Sequence, residues 1–342
     1  MVCIAAFIVL LLIGVFVAFI SIFKRDFGRR YLKVLKKSFH CFGKKVRLQK
    51  CDTNFSDDVK TLLLKKIIIK KPKLVKPLSI TIEIASVLLV VLTAWSLIEG
   101  AKAGLSLWVF GTCNVSQPSN CALGADSCGI NEDNLNWFSE WGEIFANIPD
   151  RLKRWNAAEY DLVASFVSGN EESDNVALSI IDPGCSVCLQ SYKNIKKDQE
   201  FLNNHRLLVV FYPIKNTNGE LRFKNSELIS RYALAVNQVT KKDDYSEKLI
   251  NRIFTEFDKN GTIYQALFNN ELSEDQAKSL IDEWMTEWGV SSQELKEIHS
   301  ILFSEDITNK LEKNIQIVNN SIKPKGIPTM VYDGKKHLGL FK

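Results

Sequence analysis

The chain has 342 residues and a formal net charge of +5, with 46% hydrophobic and 24% charged residues. That composition excludes a disordered or low-complexity chain, and the length allows one or two domains with proper cores. The charge is divided unevenly: residues 24–77 carry 18 Lys/Arg against four acids, and residues 99–342 carry 26 against 34. A polycation and a polyanion on one chain point to two compartments, not to a basic nucleic-acid binder.

Residues 1–23 contain no charged side chain. A membrane span needs about 20 apolar residues, so the run is long enough. Its positive charges, Lys24, Arg25, Arg29 and Arg30, follow the apolar run. A cleaved signal peptide carries them in front, so a retained anchor is expected. A second span is expected over 78–98, with Glu83 near its Lys-rich end and Trp95 near the other. Interfacial aromatics suit such an end. The basic segment 24–77 lies between the two. Positive charge is retained on the cytoplasmic side, which places 24–77 in the cytoplasm and the N-terminus and 99–342 outside.

This topology sorts the cysteines. Cys3 falls in the membrane, and Cys41 and Cys51 face a reducing cytosol. Cys113, Cys121, Cys128, Cys185 and Cys188 face an oxidising space, where disulfides persist. Residues 99–131 read as a small-residue stalk with the spacing Cys-x7-Cys-x6-Cys. With no His nearby, Cys113, Cys121 and Cys128 are candidates for one structural disulfide. The cysteine left over is expected to pair with another chain or to stay free.

Residues 132–175 read as an amphipathic helical linker. Leu135, Phe138, Trp141, Phe145 and Ile148 recur at helical spacing, and the stripe is expected to pack on the domain that follows. Helix continues after Pro149, and a polar break follows at 168–175. From Val176 the pattern changes. "VALSIID" is a buried-type strand, Cys185 to about Asn204 a helix, and Arg206–Ile214 a second buried strand. Residues 225–321 read as entirely helical, with capping boxes at Ser273/Gln276 and Ser291/Glu294 and a stop at Gly289. Gly326-Ile327-Pro328 then leads into a hairpin turning at Asp333-Gly334.

Cys185 and Cys188 therefore open a helix directly after a buried strand. A sulfur there meets unpaired N–H groups and the positive end of the helix dipole, which favour its thiolate. Cys188 falls one turn later and could resolve a mixed disulfide by intramolecular attack. Zinc sites use the same spacing, and an inert disulfide is a third reading. No second Cys pair is present, and His40, His205, His299 and His337 are scattered. No metal or cofactor is expected.

"SIIDPGCSVCLQSYKNI" together with "GIPTMVYDGKK" resembles the thioredoxin-fold disulfide oxidoreductases of bacterial envelopes, the DsbA-like group with its DsbC and DsbG relatives. The resemblance covers about Val176 to Phe341. It implies an α/β thioredoxin-like fold over 176–342 with a helical insert at about 225–321, preceded here by two transmembrane helices. It implies Cys185 as nucleophile, Cys188 as resolving thiol, Pro328 as a cis-proline facing them, and Ile327 as the residue whose backbone holds a substrate segment as an added strand. It also implies exported cysteine-containing proteins as substrates and a membrane redox partner that regenerates the pair. Ser186-Val187 is neither the Pro-His of a strong oxidant nor the Gly-Pro of a reductant, so the direction of electron flow stays open. In that family a helix after the hairpin covers the sheet. Here Lys342 follows it directly, and helices within 132–167 are expected to supply the cover. The competing reading is a scaffold subunit of a cell-envelope secretion or conjugation complex with little catalytic role.

Overall fold

A computed structural model describes residues 72–118, 126–130, 135–242 and 244–341, together with Lys36 and His40. The expected span 1–23 and nearly all of the basic loop 24–77 lie outside the described residues. The chain divides into two compact units, Met1–Ala101 and Lys102–Lys342.

The expected span at 78–98 lies within a longer helix, α1 (Val75–Phe110). Among the described residues α1 alone is long and apolar enough to cross a membrane, with a mean hydropathy of 2.1 in its best window. The first part of the expected stalk is thus helical. Residues 99–110 contain no Pro, so no proline breaks the helix before Gly111, whose φ of +78° suits glycine.

The second unit is built on a five-stranded sheet of order β2-β4-β3-β6-β7. Its strands are β2 (Phe166–Gly169), β3 (Val176–Ile181), β4 (Arg206–Phe211), β6 (Thr329–Tyr332) and β7 (Lys335–Leu338). β3 and β4 are parallel, and their inner residues are buried almost throughout, as a sheet covered on both faces demands. Two helices cross between them, α4 (Ser186–Lys197) and α5 (Gln199–Asn204), where one continuous helix was expected. Asp198 divides them: its ψ of 81° leaves the helical region, and its carboxylate accepts the N–H of Phe201 to cap α5. β6 runs antiparallel to β3, and β6–β7 is a hairpin whose Asp333 and Gly334 both take positive φ.

β2 departs from the sequence reading, which continued a helix to Val167 and placed a polar break from Ser168. Residues 157–163 form a 3-10 helix, and Phe166–Gly169 then pairs antiparallel with β4. Phe166 and Ser168 face inward while Gly169 is exposed, the alternation of a strand. Gly169 is required at the strand end. Its φ is +78°, and a Cβ there would lie 2.6 Å from the carbonyl oxygen of His205.

The helical block comprises α6 (Ser226–Thr240), α7 (Asp244–Thr255), α8 (Tyr264–Asn270), α9 (Glu274–Glu287), α10 (Ser292–Ile301) and α11 (Glu305–Ile317). Both expected capping boxes form. The block is interrupted at 256–263 by a turn closed by a Phe257–Ile263 bridge, and it ends in a π turn at Val318–Ile322. The 3-10 helix 157–163 and α11 touch each other and both pack on β4. Cover for the sheet therefore comes from part of 132–167 and from the end of the block. α2 (Trp137–Ala146), followed by the short α3 (Ile148–Leu152), plays another role: its Ile144 is buried with Val109, Phe110 and Val115 in a separate cluster. Leu135 and Ile148 join it there, while Phe138 is 78% exposed. The expected aromatic stripe is not the buried face.

Candidate active site

β3 ends at Ile181, and the chain turns through Asp182-Pro183-Gly184 to reach the N-cap of α4. Gly184 is forced by packing: a Cβ would fall 2.2 Å from Cβ of Phe223 and 2.9 Å from Oδ1 of Asn269. The N-cap is Cys185 itself, whose sulfur accepts the N–H of Cys188 at 3.4 Å. α4 carries no acid in its first turn and has Lys196 and Lys197 in its last. Cys188 lies one turn on, fully buried, with its sulfur accepting the N–H of Asp182 at 3.5 Å.

The insert grips this turn. From α8, Gln265 donates to the carbonyls of Pro183 (2.9 Å) and Cys185 (3.0 Å), and Asn269 donates to the carbonyl of Gly184 (2.7 Å). The two residues are four apart, so one helical face supplies both.

Asp182 is the acid of the site and is fully buried. Its Oδ1 accepts from the N–H of Gly184 (2.7 Å) and from the hydroxyl of Ser226, and its Oδ2 accepts from the N–H of Ile214 (2.7 Å). Burial raises its pKa to about 6, and the hydrogen bonds oppose that rise. Burial, reinforced by the charge of Asp182, pushes the Cys188 thiol well above its ordinary value, against the pull of the Asp182 N–H. Cys188 is therefore a protonated thiol at neutral pH.

Opposite the turn lies β5 (Gly326–Ile327), whose Ile327 carbonyl oxygen is 3.9 Å from the sulfur of Cys185. The Ile327–Pro328 peptide is cis, and both residues are buried. Sheet order, a crossover helix opened by Cys185, a helical insert and a cis Ile327–Pro328 turn into a terminal hairpin occur together in this unit.

The fold is thioredoxin-like.

No family model matches the chain, and no curated protein matches it. Solved structures do. A thioredoxin-like oxidoreductase from Silicibacter pomeroyi is 15% identical over 52% of this chain and 84% of its own, with a TM-score of 0.36. The thiol-disulfide exchange protein alpha-DsbA2 of Wolbachia pipientis is 17% identical over 54% and 87%, with a TM-score of 0.37. Oxidised BdbD of Bacillus subtilis is 16% identical over 52% and 84%, with a TM-score of 0.35. At such identities nothing about activity transfers to this chain.

One feature of the site departs from the sequence reading. Cys185 is not bonded to Cys188. It forms a disulfide with Cys128, 57 residues away, with the Cα atoms 6.5 Å apart, and Cys188 is a free thiol. Cys128 belongs to a two-residue strand, β1 (Cys128–Gly129), paired antiparallel with β5 so that Cys128 faces Ile327 and Gly129 faces Gly326. The stalk expectation is corrected accordingly. Cys113 is disulfide-bonded, Cys121 lies outside the described residues, and Cys128 pairs within its own chain with Cys185. The reason is spatial: β1 lies along the edge of β5, directly opposite the mouth of α4. Sequence reasoning also missed Asp182, Gln265 and Asn269. The signal for Asp182 was an acid ending an otherwise apolar strand; α8 offered none.

Proposed function

We propose that this chain is a membrane-anchored thiol–disulfide oxidoreductase that exchanges disulfides with exported cysteine-containing proteins through Cys185 and Cys188. The observation that supports it best is the sulfur of Cys185 at the N-cap of α4, facing the Ile327 carbonyl, with the Cys188 thiol buried one turn behind. Once released from Cys128, the Cys185 sulfur is stabilised as a thiolate by the helix N-terminus. It attacks one sulfur of a client disulfide, the client's other sulfur leaves as a thiolate, and a mixed disulfide forms. Cys188 then gives up its proton, attacks the Cys185 sulfur and expels the client thiol. Asp182 is the proton acceptor we assign, since its pKa of about 6 leaves it ionised at neutral pH beside an abnormally basic thiol. The reverse sequence oxidises a client dithiol. A separate membrane partner is needed to reset the pair.

The client segment is held as an added strand on β5 through backbone groups at Gly326 and Ile327. Two spans, at 1–23 and 78–98, anchor the chain in the cytoplasmic membrane, with 24–77 inside and 99–342 outside. An impermeant thiol reagent added to intact cells tests this part. Cys41 and Cys51 should be protected until the cells are lysed, and labelling of either in intact cells contradicts the topology.

The Cys128–Cys185 bond is the one observation that favours a scaffold role, because a permanent bond there would leave Cys185 inert. Reductase or oxidase assays on the full chain, beside the Cys185→Ser variant, separate the two readings. Activity lost in the variant supports the enzyme, whereas no activity in either supports the scaffold.

A further inference from the structure

The strand partner of β5 is part of the chain itself. Cys128 and Gly129 pair antiparallel with Ile327 and Gly326, Ile130 N–H donates to the Lys325 carbonyl at 3.0 Å, and the Arg222 guanidinium donates to the Gly129 carbonyl at 3.1 Å. Recognition is therefore by backbone, which is how an added strand is held whatever its side chains. The approach is close. A Cβ on Gly326 would fall 2.7 Å from the Ser127 hydroxyl and 2.9 Å from the Cys128 carbonyl oxygen. The fit is also incomplete, because the buried Ser127 hydroxyl has no hydrogen-bond partner. Such an unmet group weakens the seat relative to a fully satisfied strand.

We infer that Cys128 is a third redox cysteine and that residues 126–130 are an internal client, seated where an external cysteine-bearing strand would pair. The inference rests on the oxidoreductase reading above. The Cys128–Cys185 bond is then a mixed disulfide that the chain makes with itself. Cys188, as its thiolate, attacks the Cys185 sulfur; the Cys128–Cys185 bond breaks, the Cys185–Cys188 bond forms, and Cys128 leaves as a thiolate that takes up the proton lost by Cys188. One disulfide and one thiol are present before and after, so neither oxidant nor reductant is needed. The reverse attack by Cys128 reseats the strand.

While the strand is seated, external clients are excluded. Cys185 is 0% exposed and Cys128 8%, and the β5 edge is already paired. The seated strand also describes the client it imitates: an extended segment, antiparallel to 326–327, with its cysteine opposite Ile327.

The test is a disulfide map of the full chain in detergent, equilibrated in glutathione buffers, acid-quenched, alkylated and digested. Wild type should yield both Cys128–Cys185 and Cys185–Cys188 linkages. Cys188→Ala should yield only the first and Cys128→Ala only the second. Gly326→Ala keeps every cysteine and adds the clashing Cβ, so it should move the wild-type mixture toward Cys185–Cys188 even if Cys128→Ala fails to fold. A wild-type map holding a single linkage at every buffer potential, whichever it is, overturns the inference. Exchange with a cysteine-bearing model peptide, whose thiolate attacks the Cys185 sulfur of the Cys185–Cys188 disulfide and releases Cys188 as a thiolate, is read in parallel. If the seated form holds about nine-tenths of the chains, Cys128→Ala should exchange on the order of tenfold faster than wild type. A folded Cys128→Ala that does exchange with the peptide, but no faster than wild type, also overturns it. If the two linkages interconvert but Cys128→Ala exchanges with no peptide, the oxidoreductase reading fails and the internal exchange stands.

Discussion

The backbone N–H of Asp182 points at the sulfur of Cys188, 3.5 Å away, while its carboxylate is buried and closed off by Gly184, Ser226 and Ile214. One residue thus donates to the Cys188 thiol and carries an acid of pKa about 6 in the same buried turn. The exchange rate should rise through about pH 6 as Asp182 becomes able to accept the Cys188 proton. Asp182→Asn should remove that inflection and slow exchange at pH 7 by roughly 10²-fold, within the usual range for a general base. A stopped-flow pH profile with a peptide disulfide checks it.

The same shift makes a stability prediction of opposite sign to the usual acid effect. The native state holds the Asp182 proton up to about pH 6, whereas an unfolded aspartate loses it near 4. Between those values the native chain binds more protons, so stability falls as pH rises from about 4 to about 6. The loss from this group is of order 3 kcal/mol. Urea midpoints across that window should reveal it once the background of the other carboxylates is subtracted with Asp182→Asn.

Gly184→Ala should destabilise the fold, because its Cβ would meet Phe223 at 2.2 Å and the insert stands behind it. Overpacking of this kind costs about 1–3 kcal/mol. At about 2–4 °C per kcal/mol for a unit of this size, thermal melting resolves it.

Gln265→Ala leaves the carbonyls of Pro183 and Cys185 without their side-chain donor. Loss of a buried partner costs about 1–3 kcal/mol. Because α8 grips the turn that carries Cys185, exchange should slow in this variant at constant substrate binding. Comparing kcat with KM on a model peptide is the check.

Phe166 and Phe138 make a matched pair of aromatic truncations. Phe166 is 1% exposed and stands against Phe211 in the sheet core, whereas Phe138 is 78% exposed on α2. Phe166→Ala should cost about 3–5 kcal/mol, as large core deletions do. Phe138→Ala should stay within about 0.5 kcal/mol of wild type. Denaturant unfolding of the two variants distinguishes them.

Much of this arrangement was legible in the sequence because it is local. The Asp333-Gly334 turn, the two capping boxes and the strand before Cys185 each follow from a few neighbouring residues with one physical preference. β2 was not legible, because Phe166 and Val167 sit among apolar residues whose spacing also suits a helix; only pairing with β4 decides. The partner of Cys185 was not legible for a stronger reason. Nothing in the spacing of five cysteines encodes which pairs meet, and the deciding contact is a two-residue strand lying on β5. Asp182 could have been suspected as an acid inside a buried run, but its three hydrogen-bond partners come from three separate segments.

The most direct test of the central claim is trapping through Cys185. The double variant Cys128→Ala, Cys188→Ala has neither internal partner for that sulfur, so mixed disulfides with exported proteins should accumulate in cells and vanish on adding Cys185→Ser. They should run as reductant-sensitive bands whose cross-linked peptides contain Cys185. The account is contradicted if the folded double variant traps no protein and wild type has neither reductase nor oxidase activity.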